Sequence, residues 1–173
     1  EALNTAIRAV EARGATVVDI ALPQELVAGH DVHPTLYNYE AGVALAWEIE
    51  HHREQLSPVL LEHFASEQPI PVAEYDRARG IARRARRAAR GVFAEIDALI
   101  TYSSPGQAPD RSTTGPSSFN RLFTLLGTPA VNVPGFVSSQ GLPVGVQIIS
   151  AFGQDAKALM TAHYVESALS SKV

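Results

Sequence analysis

The apolar residues of the chain follow two spacings in turn, the 3.6-residue period of helices and the short β-branched runs of strands. Residues 2–12 have helical spacing, and Gly14 follows where a helix C-cap is expected. The run 16–22 (TVVDIAL) predicts a strand that Pro23 ends. A helix, a glycine turn and a strand in this order indicate an α/β unit.

Three further helices are predicted before residue 97. Asp31 or Thr35 is a suitable N-cap for a helix that runs to about residue 52, and a shorter helix covers 55–64. On the first of these, Glu40 shares the predicted apolar face with Leu36, Val43 and Trp47. A carboxylate in that position needs a partner. We interpret Glu40 as a buried acid that holds a neighbouring loop, in preference to a catalytic acid.

The longest predicted helix covers 72–96 and has opposite characters on its two sides. Small and apolar residues occupy one half of the helical wheel, as in a surface helix packed on a core. The other half carries seven arginines, which we interpret as a solvated face paired with the protein's own carboxylates. Nucleic-acid binding is the alternative, although no aromatic residue interrupts the basic run. The arginines are Arg77, Arg79, Arg83, Arg84, Arg86, Arg87 and Arg90.

The last third of the chain contains the most informative stretch, a long loop over 101–118. A strand (97–101) precedes the loop, a helix (119–126) follows it, and two strands (130–133 and 144–150) come next, before a closing helix that begins at Asp155. A structureless connection of this length in a compact domain usually either lines a site or is mobile. The predicted fold is therefore α/β, a partial mixed sheet of about four strands flanked by helices, with the loop at the edge of an active site.

Composition excludes several classes of protein. The 173 residues suit one domain, and 46% hydrophobic with 18% charged residues is a globular composition. A net charge of −4 gives no general attraction to nucleic acid or to an anionic membrane, and no window predicts a membrane span. The chain has no cysteine, which rules out disulfides and thiolate chemistry and is compatible with a cytoplasmic location.

Few side chains suggest chemistry by themselves. His30 and His33 could share a metal only with further ligands, so we predict neither a metal nor another cofactor. No Gly-x-Ser-x-Gly elbow is present, and Ser118 is better interpreted as a helix N-cap than as a nucleophile. Within the last strand, Gly145 indicates close approach of another backbone, and Gln147 is expected to bond main chain nearby.

A series of short motifs in fixed order gives a more specific signal. Leu-Ile-Thr (99–101), Phe-Asn-Arg (119–121), Leu-Gly-Thr-Pro-Ala (126–130) and Gly-Leu-Pro-Val-Gly-Val-Gln (141–147) follow one another. This order resembles the C-terminal part of an amidase signature enzyme, and the resemblance covers essentially the whole chain. Two departures from the family pattern are Tyr102 in place of proline and Thr124 in place of asparagine. With threonine at position 124, the sequence is more similar to general amidases than to tRNA-dependent amidotransferase subunits.

The resemblance implies a function for a larger enzyme. Members of the family hydrolyse a carboxylic amide to an acid and ammonia or an amine, using two serines and a lysine that lie in motifs absent from this sequence. We therefore expect residues 1–173 to be the C-terminal portion of one amidase-type α/β domain, with no catalytic residue of its own. The residues expected to line the pocket for a small amide substrate are Tyr102, Ser103, Ser104, Asn120 and Thr128.

Two expectations about partners follow. Without the catalytic half, apolar surface of the sheet would be left uncovered. We therefore expect either that this half is present as a separate chain or that the chain associates with itself. A non-catalytic binding or assembly domain derived from an amidase is the alternative function. Neither nucleic acid nor a membrane is an expected partner.

Overall fold

The computed structural model describes residues 1–66 and 69–170 as seven helices, one short 3₁₀ turn and three strands. Within those residues, no helix is both long and apolar enough to cross a membrane. The elements are α1 (Ala2–Ala12), α2 (Gln24–Ala44), α3 (Ala46–His51), the 3₁₀ turn (Arg53–Gln55), α4 (Pro58–Ser66), α5 (Val72–Val92), β1 (Leu99–Tyr102), α6 (Ser118–Leu126), β2 (Ala130–Val137), β3 (Pro143–Ile149) and α7 (Asp155–Ser170).

The sheet has the order β1-β3-β2, and both pairings are antiparallel. The predicted α/β class is confirmed, but the prediction of about four strands in a mixed sheet is wrong in count and direction for the described residues. The missing strand is 16–22, which forms no ladder. Its β-branched residues have the propensity for a strand, but a strand also needs a neighbour to bond, and Val18 remains 59% exposed.

Two hydrophobic clusters form the core. The first packs one face of the sheet against α1 and α7, with Val146 and Ile148 of β3 almost fully buried at its centre. The second joins α2, α5 and α6, and its α5 contribution is a row of alanines. In this second cluster, a Cβ added to Gly29 would lie only 2.7 Å from the Ala85 Cβ. Small residues therefore let α2 and α5 pack closely.

The start of α2 differs from the sequence-based prediction. The helix begins at Gln24 with Pro23 as its N-cap, so Asp31 and Thr35 lie inside the helix and cap nothing. A proline just before a helix is favourable because its φ is already near the helical value. The helix ends at Ala44, and after Leu45 α3 follows as a separate short helix.

Glu40 is exposed, contrary to the prediction of a buried acid. Its Oε1 accepts a hydrogen bond of 2.9 Å from the Tyr75 hydroxyl, and the Tyr75 ring stacks on Tyr39 at 3.9 Å between centroids. The carboxylate thus links α2 to α5 and holds no loop. Its predicted neighbours Val43 and Trp47 are 65% and 58% exposed, because the apolar side of α2 turns toward α5 and α6 only as far as Leu36.

Candidate functional site

The loop 103–117 joins β1 to α6, as the sequence predicted. Short-range hydrogen bonds organise it: Ser104 Oγ donates to Gly106 O at 2.5 Å, and the Ser112 amide donates to Asp110 Oδ1 at 2.9 Å. The latter bond lowers the pKa of Asp110. Gln107 also bonds Gln140 in the turn between β2 and β3. The loop is therefore tied to itself and to the sheet.

Four polar side chains form a cluster where the loop leaves the sheet, and we call Ser103, Asn120, Asn132 and Gln147 the polar cluster. Ser103 Oγ donates to Asn132 Oδ1 at 2.5 Å, and Asn120 Nδ2 lies 3.4 Å from Ser103 O. These contacts join β1, β2 and the first turn of α6 at one place. The exposed Asn120 and Asn132 leave amide groups open to solvent, where they can donate to or accept from a polar ligand.

Gln147 lies beneath the other members of this cluster and is buried, with 5% of its surface exposed. Its Nε2 donates to Tyr102 O at 3.2 Å and to Phe119 O at 3.3 Å. One side chain of β3 therefore bonds the main chain at the end of β1 and at the start of α6. The prediction that Gln147 bonds nearby main chain is confirmed.

Gly145 provides the space that the cluster occupies. A Cβ at this position would lie 2.6 Å from Asn132 Oδ1 and 2.7 Å from Val133 O. Both distances are far below van der Waals contact, so the close backbone approach expected at this glycine is confirmed. The amide of Asn132 lies over β3 only because residue 145 has no side chain.

An aromatic pair stands beside the polar cluster. The Tyr102 and Phe119 rings meet edge to face, with centroids 5.5 Å apart and planes at 62°. Tyr102 is 40% exposed. A polar cluster next to a partly exposed ring suits a ligand that has a hydrogen-bonding group and an apolar part.

The structure brings together most of the residues predicted to line a pocket. Tyr102, Ser103 and Ser104 are consecutive, and Asn120 contacts Ser103. Thr128 lies beyond the other end of α6, where its Oγ1 bonds Phe123 O at 3.3 Å and supports the helix terminus. That terminus is closed by Gly127 with φ +69°, as the sequence predicted.

Asn132 and Phe119 also belong to this site, although the sequence did not predict them there. The signal for Asn132 was an amide in the otherwise apolar run Ala130–Val133, at the position that pairs with Gln147 across the β2–β3 ladder. Residues directly opposite in an antiparallel pair have side chains on the same face. That pairing depends on the strand register, which periodicity alone does not provide.

Three of the loop serines, Ser103, Ser104 and Ser117, bond groups that cannot act as a base. The side chain of the fourth, Ser112, bonds the Asp110 carboxylate. Ser103 bonds Asn132, Ser104 bonds Gly106, and Ser117 Oγ accepts from Arg121 Nε at 3.1 Å. Ser117, and not Ser118 as predicted, is the N-cap position of α6, without a side-chain cap. Lys157 donates at 2.8 Å to Asp97, which lowers the pKa of that carboxyl. A nucleophile needs a base within reach, and the Asp110 carboxylate beside Ser112 is a weak proton acceptor because the hydrogen bonds from Ser112 lower its pKa.

The histidines considered as metal ligands lie on α2. His30 Nε2 donates to Ser118 O at 3.1 Å and so links α2 to the start of α6. Burial lowers the pKa of His33, and the nearby Arg121 charge lowers it further. Across 1–66 and 69–170, no three His, Cys, Asp or Glu side chains gather in a way that could hold a metal ion.

Comparisons with known proteins agree with this architecture. A family model described as Amidase matches residues 1–159. The chain is 28% identical to a glutamyl-tRNA(Gln) amidotransferase subunit of Neisseria meningitidis, over 95% of this chain and 40% of that protein. It is 29% identical to a fatty acid amide hydrolase of Medicago truncatula, over 90% of this chain and 28% of that protein.

A solved structure supports the same assignment. The crystal structure of an amidase superposes with a TM-score of 0.83 at 25% identity and covers 96% of this chain and 41% of that one. The chain spans between about a fifth and two fifths of the length of the first curated relatives it matches. The relatives include both an amide hydrolase and an amidotransferase subunit, so the similarity is to the family as a whole. Because the family model covers nearly the entire sequence, the chain belongs to the amidase family.

Proposed function

We propose that this chain is the C-terminal part of an amidase that hydrolyses a small carboxylic amide through a serine acyl-enzyme, with the catalytic serines and lysine supplied from outside residues 1–173. The observation that carries this proposal is the polar cluster beside the loop 103–117, which leaves the amides of Asn120 and Asn132 open to solvent while Ser103, Ser104 and Ser117 contact neither a lysine nor a histidine. The departure at Thr124 favours a general amidase over an amidotransferase subunit. A cytoplasmic location stays a prediction from composition.

In this proposal the chain shapes the substrate pocket. The exposed amides of Asn120 and Asn132 would bond the substrate's polar group, while Tyr102 would contact its apolar part. Ser103 and Ser104 would set the shape of the loop. Thr128 would act at a distance by supporting the end of α6, since its hydroxyl already bonds Phe123 O.

Ammonia release from a panel of small aliphatic and aromatic primary amides tests the proposal. We expect no turnover by the purified 173-residue chain above a heat-denatured control. We also expect a Gly/Ser-rich segment and a motif lysine in the coding sequence upstream of Glu1 or in a co-purifying chain. Turnover by the chain alone that a Ser103→Ala substitution abolishes would contradict the proposal, and the absence of any such sequence would favour a non-catalytic assembly domain.

A further part of the proposal is that another strand or chain covers the segment 16–22. Val18, Ile20 and Leu22 are 59%, 37% and 40% exposed, although they are β-branched or apolar and occupy alternate positions of one short segment. Exposed apolar runs are typical of surfaces that a partner covers. Light scattering on the isolated chain should show self-association that an added catalytic half suppresses. A monodisperse monomer would count against this coverage.

A further inference from the structure

The outer side of α5 carries a row of arginines, which we call the arginine row: Arg79, Arg83, Arg87 and Arg90. Successive members are separated by four, four and three residues, so they lie along one side of the helix. At about 1.5 Å per residue the row is about 16 Å long. All four side chains are exposed.

Most of these charges have no partner in the fold. Arg79 pairs with Asp76 at 3.6 Å, whereas Arg83, Arg87 and Arg90 make no hydrogen bond or ion pair among residues 1–66 and 69–170. The prediction that the arginine face pairs with the protein's own carboxylates is therefore wrong for most of the row. Nearby Arg86 shows the contrast, because its Nε donates to Leu125 O at 2.9 Å and serves packing.

The packing of α5 keeps the row in place. Its buried alanines fix the helix against α2, so the arginines project from a rigid backbone at a regular spacing. Charge is also strongly concentrated here. The helix carries seven arginines and two acidic residues, a net +5, whereas the whole chain has −4, so the rest of the chain carries −9.

We propose that the arginine row docks a short acidic helical segment of a partner protein. Carboxylates placed four residues apart on a helix recur about every 6 Å, which is the spacing of Arg79, Arg83 and Arg87. Guanidinium groups form two parallel bonds with a carboxylate, and such pairs are among the strongest hydrogen bonds in proteins. A helix of about four turns would place one carboxylate opposite each arginine.

The charge distribution favours such a segment over nucleic acid. More than about a Debye length of 8 Å from the row its attraction is screened, and the rest of the chain, with a net charge of −9, offers a longer polynucleotide no further attraction. Between Arg79 and Arg90 the helix has no aromatic side chain on which bases could stack. A short acidic segment of about the same length as the row would contact only its positive charges.

A labelled peptide tests this proposal directly on the chain. The probe is a fluorescein-labelled, alanine-rich peptide with glutamate at every fourth position, and its match is a peptide of the same composition with the glutamates clustered. Fluorescence anisotropy at low ionic strength should show saturable binding that is tighter for the periodic peptide. The variant R83E/R87E should weaken that binding roughly tenfold or more, the loss expected from two charge-assisted pairs.

A matched variant distinguishes the contribution of the arginine row to binding from that of the net charge. R8E/R53E changes the total charge by the same amount at exposed positions in α1 and the 3₁₀ turn, and its affinity for the periodic peptide should stay within about twofold of the original. R83K/R87K keeps the charge but loses the paired bonds, so its affinity for the periodic peptide should lie between that of the original chain and that of R83E/R87E. Circular dichroism of each variant establishes that the helices remain.

Four results would overturn the proposal. The first is no saturable binding of the periodic peptide, and the second is equal affinity for the clustered peptide. The third is an equal loss in R83E/R87E and R8E/R53E, which would show a general charge effect. The fourth is tighter binding of a labelled single-stranded or duplex oligonucleotide, which would favour nucleic acid as the partner.

Discussion

Substitution of Gly145 by alanine tests the packing beneath the polar cluster. The new Cβ would lie 2.6 Å from Asn132 Oδ1 and 2.7 Å from Val133 O. The side-chain amide can rotate away, but the carbonyl belongs to β2, which is paired with β3. Overpacking of this kind costs about 1–3 kcal/mol, and alanine recovers about 0.5–1 kcal/mol because it loses less backbone entropy than glycine. We expect a net loss of about 1–2 kcal/mol.

Thermal unfolding followed by circular dichroism measures this loss. For a chain of this size, about 1 kcal/mol lowers Tm by roughly 2–4 °C, so Gly145→Ala should lower Tm by roughly 2–8 °C. In an Asn132→Ala background the additional loss should be smaller, since only the carbonyl clash remains. Gly91→Ala is the control, because a Cβ there meets nothing within 4 Å, and helix propensity should raise stability by up to about 1 kcal/mol. A Gly145→Ala protein as stable as its parent would refute the packing argument.

Three further predictions concern the helices. Gly29→Ala should destabilise the protein by about 1–2 kcal/mol in urea unfolding, because its Cβ would lie 2.7 Å from an alanine Cβ of α5. Glu40→Ala should lower the pKa of Tyr75 in an ultraviolet titration, because the hydrogen bond to Glu40 raises that pKa by favouring the protonated phenol. Lys157 lowers the pKa of Asp97, so Asp97→Asn should reduce stability at neutral pH and have less effect in acid, where the carboxyl is protonated and the native pair is lost.

Each of these predictions has a control. Gly42→Ala, at a helical site where a Cβ meets nothing within 4 Å, should stabilise the protein where Gly29→Ala destabilises it. Tyr75→Phe identifies which absorbance change belongs to Tyr75, and an unchanged titration in Glu40→Ala would exclude the hydrogen bond as the cause. High salt should weaken the Asp97 effect because the pair is exposed. Equal losses for Asp97→Asn at neutral and acidic pH would contradict the ionic explanation.

Features that depend on neighbouring residues could be predicted from the sequence. Gly127 ends α6 in a left-handed conformation that glycine adopts without strain, and a glycine after a helical pattern is enough to expect it. Gln147 is a polar residue in an apolar strand, so its need for partners was evident before their identity was known. The loop 103–117 followed from the absence of any period between two predicted elements.

Features that depend on distant residues could not be predicted in this way. The segment 16–22 has the composition of a strand, but no strand of the described chain lies beside it to complete a ladder. Asn132 joins the site because of the β2–β3 register and the space above Gly145, two long-range properties. The exposure of Glu40 likewise depends on the angle at which α2 meets α5.

The two faces of the sheet explain why the polar cluster can be specific without weakening the core. Side chains alternate between faces along a strand, so Val146 and Ile148 point to the dry cluster with α1 and α7 while Gln147 points to the other face. A single strand therefore supports the core with alternate residues and the loop with the residue between them. In the proposed pocket, a change to Asn132 should alter contacts with the substrate and cost stability only through its exposed hydrogen bond with Ser103. A change to Gln147 should affect both, since its two bonds join β1 and α6 from a buried position.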